Sequence, residues 1–106
     1  MTTHPIDRLF AAIEARKGAD PTQSYTAKLL AEGRETCAKK FGEEAIETCI
    51  AGVGQDRAAL TAESADLLYH LLVLWAASGL KPDDVYGELK AREGQSGLEE
   101  KAARKR

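Results

Sequence analysis

The stretch from Lys39 to Asp66, KKFGEEAIETCIAGVGQDRAALTAESAD, decides how the chain folds. It holds two acidic pairs, Glu44-x-x-Glu47 and Glu63-x-x-Asp66, and one further carboxylate at Glu43. At i,i+3 spacing the acids of a pair stand on one face of a helix, their Cβ atoms about 5–6 Å apart. Between the pairs, Gly52-Val53-Gly54 predicts a break that returns the chain antiparallel, so that two helices face each other. Four carboxylates then converge. Two like charges ~4 Å apart repel by about 4 kcal/mol at an effective dielectric of about 20. Hard divalent cations with oxygen ligands offset such repulsion. The expectation is a Mg²⁺ site, or a Mn²⁺ site, built from Glu44, Glu47, Glu63 and Asp66.

The helices on either side of the break support this reading unequally. From Arg34 to about Ala51 the apolar side carries Cys37, Phe41, Ala45 and Cys49 with Ile46 and Ile50, while Lys40, Glu43, Glu44 and Glu47 fall together on the other side. Alone, such a charged face is ordinarily just solvated. The next helix starts at Asp56 as N-cap and runs to about Ser78, with Gly79 after it. Its second half, Leu67 to Trp75 (LLYHLLVLW), is apolar nearly all round. A helix hydrophobic on every side must be buried on every side. A chain of 106 residues can hardly wrap it completely, so part of it is expected to pack against a second copy in a homodimer. Glu63 and Asp66 lie one to two turns before this run, where unpartnered charge is disfavoured, and metal ligation answers that.

Elsewhere the signals are also helical. Pro5 suits a first helical position, Ile6, Leu9, Phe10 and Ile13 follow at helical spacing, and Lys17 and Gly18 close the element. Residues 19–23 read as a loop and Ser24 as the N-cap of a helix from Tyr25 to about Glu32, which Gly33 interrupts before Arg34. Pro82 opens a last helix, with Asp83 and Asp84 in its first turn, and Gly94 ends it. No strand signal, repeat or low-complexity tract is present. The fold class expected is an all-α bundle of four to five helices, residues 1–94, with a basic tail over residues 95–106 that either stays flexible or forms a short helix from Leu98 to Arg106.

Composition bounds the function classes. The apolar content of 43% and charged content of 30% are those of an ordinary soluble domain. A net charge of −2 gives no bulk attraction to nucleic acid or anionic membrane. No apolar run approaches the ~18 residues of a membrane span and the first residues carry no signal-peptide pattern, which points to the cytoplasm. Cys37 and Cys49 are expected as small buried hydrophobes, too far apart along one helix to pair.

Oxygen ligands around Mg²⁺ imply phosphate chemistry, because Mg²⁺ usually completes its octahedron with waters and substrate phosphates. Phosphoanhydride cleavage follows, the ions neutralising phosphate charge and orienting a water. Cations to greet a substrate phosphate are available at Lys39 and Lys40, although i,i+4 ion pairing with Glu43 and Glu44 explains these equally well. Arg34, Arg92, Lys101 and Arg104 are further candidates, the last two only if the tail folds over the site. His70 shares a face with Glu63 and Asp66 and reads as a packed or supporting histidine rather than a proton carrier. A di-iron carboxylate bundle needs Glu-x-x-His pairs, and His70 has no Glu three residues before it.

At these residues the chain resembles the MazG-like all-α nucleoside triphosphate pyrophosphohydrolases. The resemblance is closer to one branch, the phosphoribosyl-ATP pyrophosphohydrolases of histidine biosynthesis. It is carried by SYTAKLLAEG (24–33), KKFGEEAIE (39–47), ESADLLYHLLVLW (63–75) and SGLEEKAARK (96–105), with a similar opening IDRLFAAIEARKG. The acidic motifs belong to the whole superfamily; the flanking segments point to the branch. The resemblance implies hydrolysis of 1-(5-phosphoribosyl)-ATP between its α and β phosphates and a homodimer with one shared bundle. It further implies that Glu44, Glu47, Glu63 and Asp66 are metal ligands, with Glu43 bridging or positioning the water. It also implies a stand-alone enzyme rather than a fusion to the following cyclohydrolase. Two readings compete: a house-cleaning pyrophosphohydrolase of free (deoxy)nucleoside triphosphates, and a non-catalytic helical dimerisation module.

Overall fold

The computed structural model describes residues 4–94 and residue 97. Five helices follow one another: α1 (Pro5–Glu14), α2 (Tyr25–Glu32), α3 (Arg34–Val53), α4 (Arg57–Ala77) and α5 (Pro82–Ala91). The described residues contain no strand, as an all-α chain requires.

Local chemistry sets the helix ends. Each helix start leaves amide donors without partners, and short polar side chains take them up. Ser24 Oγ accepts from the Ala27 amide at 3.1 Å and Asp56 Oδ1 from the Ala59 amide at 3.0 Å. His4 caps α1 through Nδ1, 3.1 Å from the Ile6 amide, a role the sequence reading does not foresee. α4 closes in a Schellman motif: Gly79 has φ +73°, and the Leu80 amide donates back to the Trp75 carbonyl at 2.9 Å.

One residue separates α2 from α3. The Gly33 amide donates to the Leu29 carbonyl at 3.3 Å, ending α2, and its own carbonyl accepts from the Cys37 amide at 3.1 Å, starting α3. Its φ of +101° is open to glycine and strained for other residues. At the α3–α4 turn the outcome differs from the expectation. α3 continues through Gly52 and Val53, Gly54 keeps a right-handed φ of −73°, and Gln55 takes the left-handed conformation at φ +59°.

The core is drawn from four helices: Phe10 and Ile13 of α1, Ala27 and Leu29 of α2, Cys37 of α3, and Leu72, Val73 and Ala76 of α4. Leu72 and Val73 have no exposed surface, and burying each side chain is worth about 1.5–3 kcal/mol. α5 packs on α1, where the Tyr86 hydroxyl donates to Asp7 Oδ1 at 3.1 Å.

The apolar side expected for α3 is only partly covered. Cys37 is buried as expected, but Cys49 is exposed, which corrects its reading as a buried hydrophobe. Ile46, Ile50 and Val53 are 63, 67 and 85% exposed. Leu68, inside the apolar run of α4, stays 44% exposed. Periodicity identified a face that this single subunit does not cover.

Candidate metal centre

α3 and α4 make the most extensive helix–helix contact of the fold. Their antiparallel register is visible in two places. Thr48 Oγ1 lies 3.2 Å from the Glu63 carbonyl, and four residues further along α3 a Cβ on Gly52 would sit 3.9 Å from Leu60 Cδ1. As one helix number rises the other falls, so the two acidic pairs come to the same region of the hairpin. There Glu44, Glu63 and Asp66 each offer a carboxylate oxygen, and these atoms all lie within 4.8 Å of one another. Around an octahedral Mg²⁺ with bonds of about 2.1 Å, opposite oxygens are about 4.2 Å apart. The three carboxylates are thus close to the spacing such an ion needs.

The electrostatics point the same way. The Glu44 carboxyl is held above its ordinary value, first by burial and then by the negative charges of Glu47, Asp66 and Glu63. A hydrogen bond with the Glu47 carboxyl also favours its protonated form. Glu63 Oε1 is buried with no hydrogen-bond partner among the described residues. A buried carboxylate oxygen without a donor is costly, and a cation satisfies it. Hard oxygen donors, accumulated negative charge and an orphaned oxygen together fit a divalent metal such as Mg²⁺ or Mn²⁺.

The other residues singled out by sequence fall into distinct places. Glu47 is exposed and not one of the three clustered acids, although it acts on Glu44. Glu43 is ion-paired with Lys40 at 3.6 Å, an ordinary helix pair, though at i,i+3 rather than the i,i+4 spacing expected of these lysines. Lys39 is exposed, and so is Arg34, the first residue of α3. Arg92 Nε donates to Glu88 Oε2 at 3.0 Å within reach of one turn. Lys101, Arg104 and the rest of the tail beyond residue 97 lie outside the described residues.

His70 is 8% exposed, with its Nδ1 buried and unpartnered among the described residues. Tyr69 and Tyr25 meet its ring edge-on, with centroids at 5.0 and 6.3 Å. Burial lowers its pKa most, Lys40 lowers it further, and Asp66 and Glu43 oppose them. That is a packed histidine beside the acids. Sequence reasoning passes over Thr48, whose Oγ1 is 2.8 Å from the Glu44 carbonyl as well as 3.2 Å from that of Glu63. The available signal was a hydroxyl one turn after Glu44, on the helix expected to face α4.

Comparison with known proteins identifies the family to which the chain belongs. The family model described as phosphoribosyl-ATP pyrophosphohydrolase matches residues 6–93. A protein of Parvibaculum lavamentivorans named phosphoribosyl-ATP pyrophosphatase is 65% identical over 99 residues, covering 93% of this chain and 91% of that protein. Proteins of the same name are similar in Ruegeria pomeroyi (64% over 96 residues, 91% of each chain) and Azospirillum brasilense (59% over 100 residues, 94% of this chain and 90% of that one). With matches of this extent, and with the acidic hairpin inside the matched span, the chain belongs to the phosphoribosyl-ATP pyrophosphohydrolase family.

Proposed function

We propose that this chain hydrolyses 1-(5-phosphoribosyl)-ATP between its α and β phosphates, giving 1-(5-phosphoribosyl)-AMP and pyrophosphate, a step of histidine biosynthesis. The observation that carries the reading is the convergence of Glu44, Glu63 and Asp66 from two helices onto one point, inside the span shared with the family. These three would hold Mg²⁺, and Glu47, which already acts on the Glu44 carboxyl, would complete the acidic set. When bound, the ion neutralises charge on the phosphates and lowers the pKa of a coordinated water.

The remaining work falls to the chain's own side chains. Glu43, the residue before Glu44 on α3, accepts a hydrogen bond from the attacking water and orients it. Lys40 exchanges its pairing with Glu43 for a substrate phosphate, and Lys39 and Arg34 add positive charge from the exposed side of α3. Arg92 is a further cation for phosphate, while Lys101 and Arg104, which would contact substrate only if the tail folds over the site, lie outside the described residues. Half-burial of Glu44 and Glu63 limits the water around the reacting bond, which strengthens each of these interactions.

A homodimer belongs to the same reading. Ile46, Ile50 and Val53 recur at i, i+4, i+7 on α3 and are all exposed, and Leu68 adds to the open apolar surface on α4. Contiguous apolar surface of this kind marks an interaction site, and a second copy presenting the same face covers it symmetrically.

The test is an assay of the purified protein with phosphoribosyl-ATP, dCTP and dUTP, each with and without magnesium. Magnesium-dependent pyrophosphate release with a preference for phosphoribosyl-ATP is expected. A preference for the free nucleotides, or turnover untouched by removing magnesium, would overturn the proposal.

A further inference from the structure

We infer that Thr48 is a positioning residue for the acidic centre, its hydroxyl setting the register of α3 against α4 at the height of the ligand-bearing residues. The inference rests on the metal assignment above and concerns how the three carboxylates are held together.

A threonine within a helix commonly donates to the carbonyl four residues earlier. Thr61 does this and nothing more in the contacts observed: its Oγ1 lies 2.8 Å from the Arg57 carbonyl. Thr48 makes the same bond, to the Glu44 carbonyl at 2.8 Å, and its Oγ1 also lies 3.2 Å from the Glu63 carbonyl on the neighbouring helix. One hydroxyl proton is thus shared between two backbone carbonyls. Both carbonyls belong to residues whose carboxylates meet in the cluster, one from each helix.

Register matters acutely here. One residue of slip along a helix displaces a side chain by 1.5 Å axially and about 100° around the axis. A metal site tolerates displacements of only about 0.5 Å. Apolar packing between α3 and α4 is a poor sole guardian of register, because the hydrophobic effect is non-directional. A directional hydrogen bond across the helix pair at Thr48 adds what such packing lacks. Thr48 itself is half-buried, so water competes with this bond less than at an open surface.

The experiment is a calorimetric titration of Mn²⁺ alone into the full chain and three variants. Thr48→Val keeps the shape and removes the hydroxyl. Thr48→Ser restores the hydroxyl. Thr61→Val removes a helical hydroxyl bond that does not cross to another helix. Because partners behind metal ligands commonly account for 10–100-fold in affinity, Thr48→Val is expected to bind Mn²⁺ at least about tenfold more weakly, with Thr48→Ser within about threefold of wild type and Thr61→Val unchanged. Wild-type affinity in Thr48→Val overturns the inference while leaving the metal assignment standing, and so does an equal loss in Thr61→Val. A wild-type chain that takes up no Mn²⁺ overturns both. Helical circular dichroism confirms that each variant is folded, and if Thr48→Val is not, Thr48→Ala carries the same expectation.

Discussion

The imidazole of His70 stands edge-on to the ring of Tyr69, their centroids 5.0 Å apart and their planes at 80°. This contact leaves the histidine almost wholly inside the protein, where burial pushes its pKa below the ordinary 6.5. Lys40 across on α3 works in the same direction, whereas Asp66 on α4 and Glu43 on α3 pull the other way and do not prevail. The folded state therefore binds a proton at His70 less readily than the unfolded chain does. By linkage the stability contributed by the neutral ring is intact above the unfolded value and is lost as pH falls from about 6.5 toward the folded value. His70→Phe keeps an aromatic ring in place and cannot titrate. In urea unfolding, the wild-type advantage over this variant should shrink between pH 7.5 and pH 5.5; an advantage independent of pH would contradict the assignment.

Leu72 is fully buried at the meeting point of the helices, so its truncation leaves a cavity. Leu72→Ala should lower unfolding free energy by about 2–5 kcal/mol. A loss below about 1 kcal/mol would mean that the core around α4 collapses to fill the space, or is not packed as described.

The open apolar side of α3 predicts a change of oligomeric state. Replacing both Ile46 and Ile50 with glutamate places charge where a second copy is expected to dock, and desolvating it there is unfavourable. By sedimentation, wild type should be a dimer at micromolar concentration and the double variant a monomer. A monomeric wild type would remove the homodimer from the account, and a dimeric double variant would move the interface elsewhere.

α5 depends on few contacts, of which Tyr86 to Asp7 joins residues 79 apart in sequence and ties α5 to α1. Tyr86→Phe deletes that hydrogen bond at little change in volume. A destabilisation of about 1 kcal/mol is expected from denaturant unfolding.

Much of this architecture is legible in the order of residues, for reasons that are local. Ser24 and Asp56 announce helix starts because their side chains reach the amides two or three residues on. Gly33 announces the α2–α3 corner because that backbone shape suits glycine. The turn after α3 is harder to place, since Gly52-Val53-Gly54 suggests the break, whereas the helix runs on through Val53 and the left-handed residue is Gln55. For the acidic pairs, i,i+3 spacing put the members of each pair on one face, and the structure brings Glu63 and Asp66 together with Glu44, but spacing on one helix cannot say how far each carboxylate reaches across to another. Glu47, one turn beyond Glu44, remains exposed outside the group of three. Likewise the apolar pattern of Ile46 and Ile50 is real, yet periodicity does not say that the face stays exposed in a single chain. Thr48 escaped notice because its significance lies in a distance between helices, and a single hydroxyl has no periodic signature.

The account stands on Glu44, Glu63 and Asp66 jointly seating a divalent cation for phosphoanhydride hydrolysis. The most direct measurement is the rate of pyrophosphate release from phosphoribosyl-ATP in saturating Mg²⁺ for wild type, Glu44→Gln and Asp66→Asn, with helicity followed in parallel. Since even the partners behind metal ligands cost 10–100-fold, each ligand variant should lose at least about 100-fold in turnover while keeping its helical content. Near-normal turnover in either variant would contradict the metal assignment.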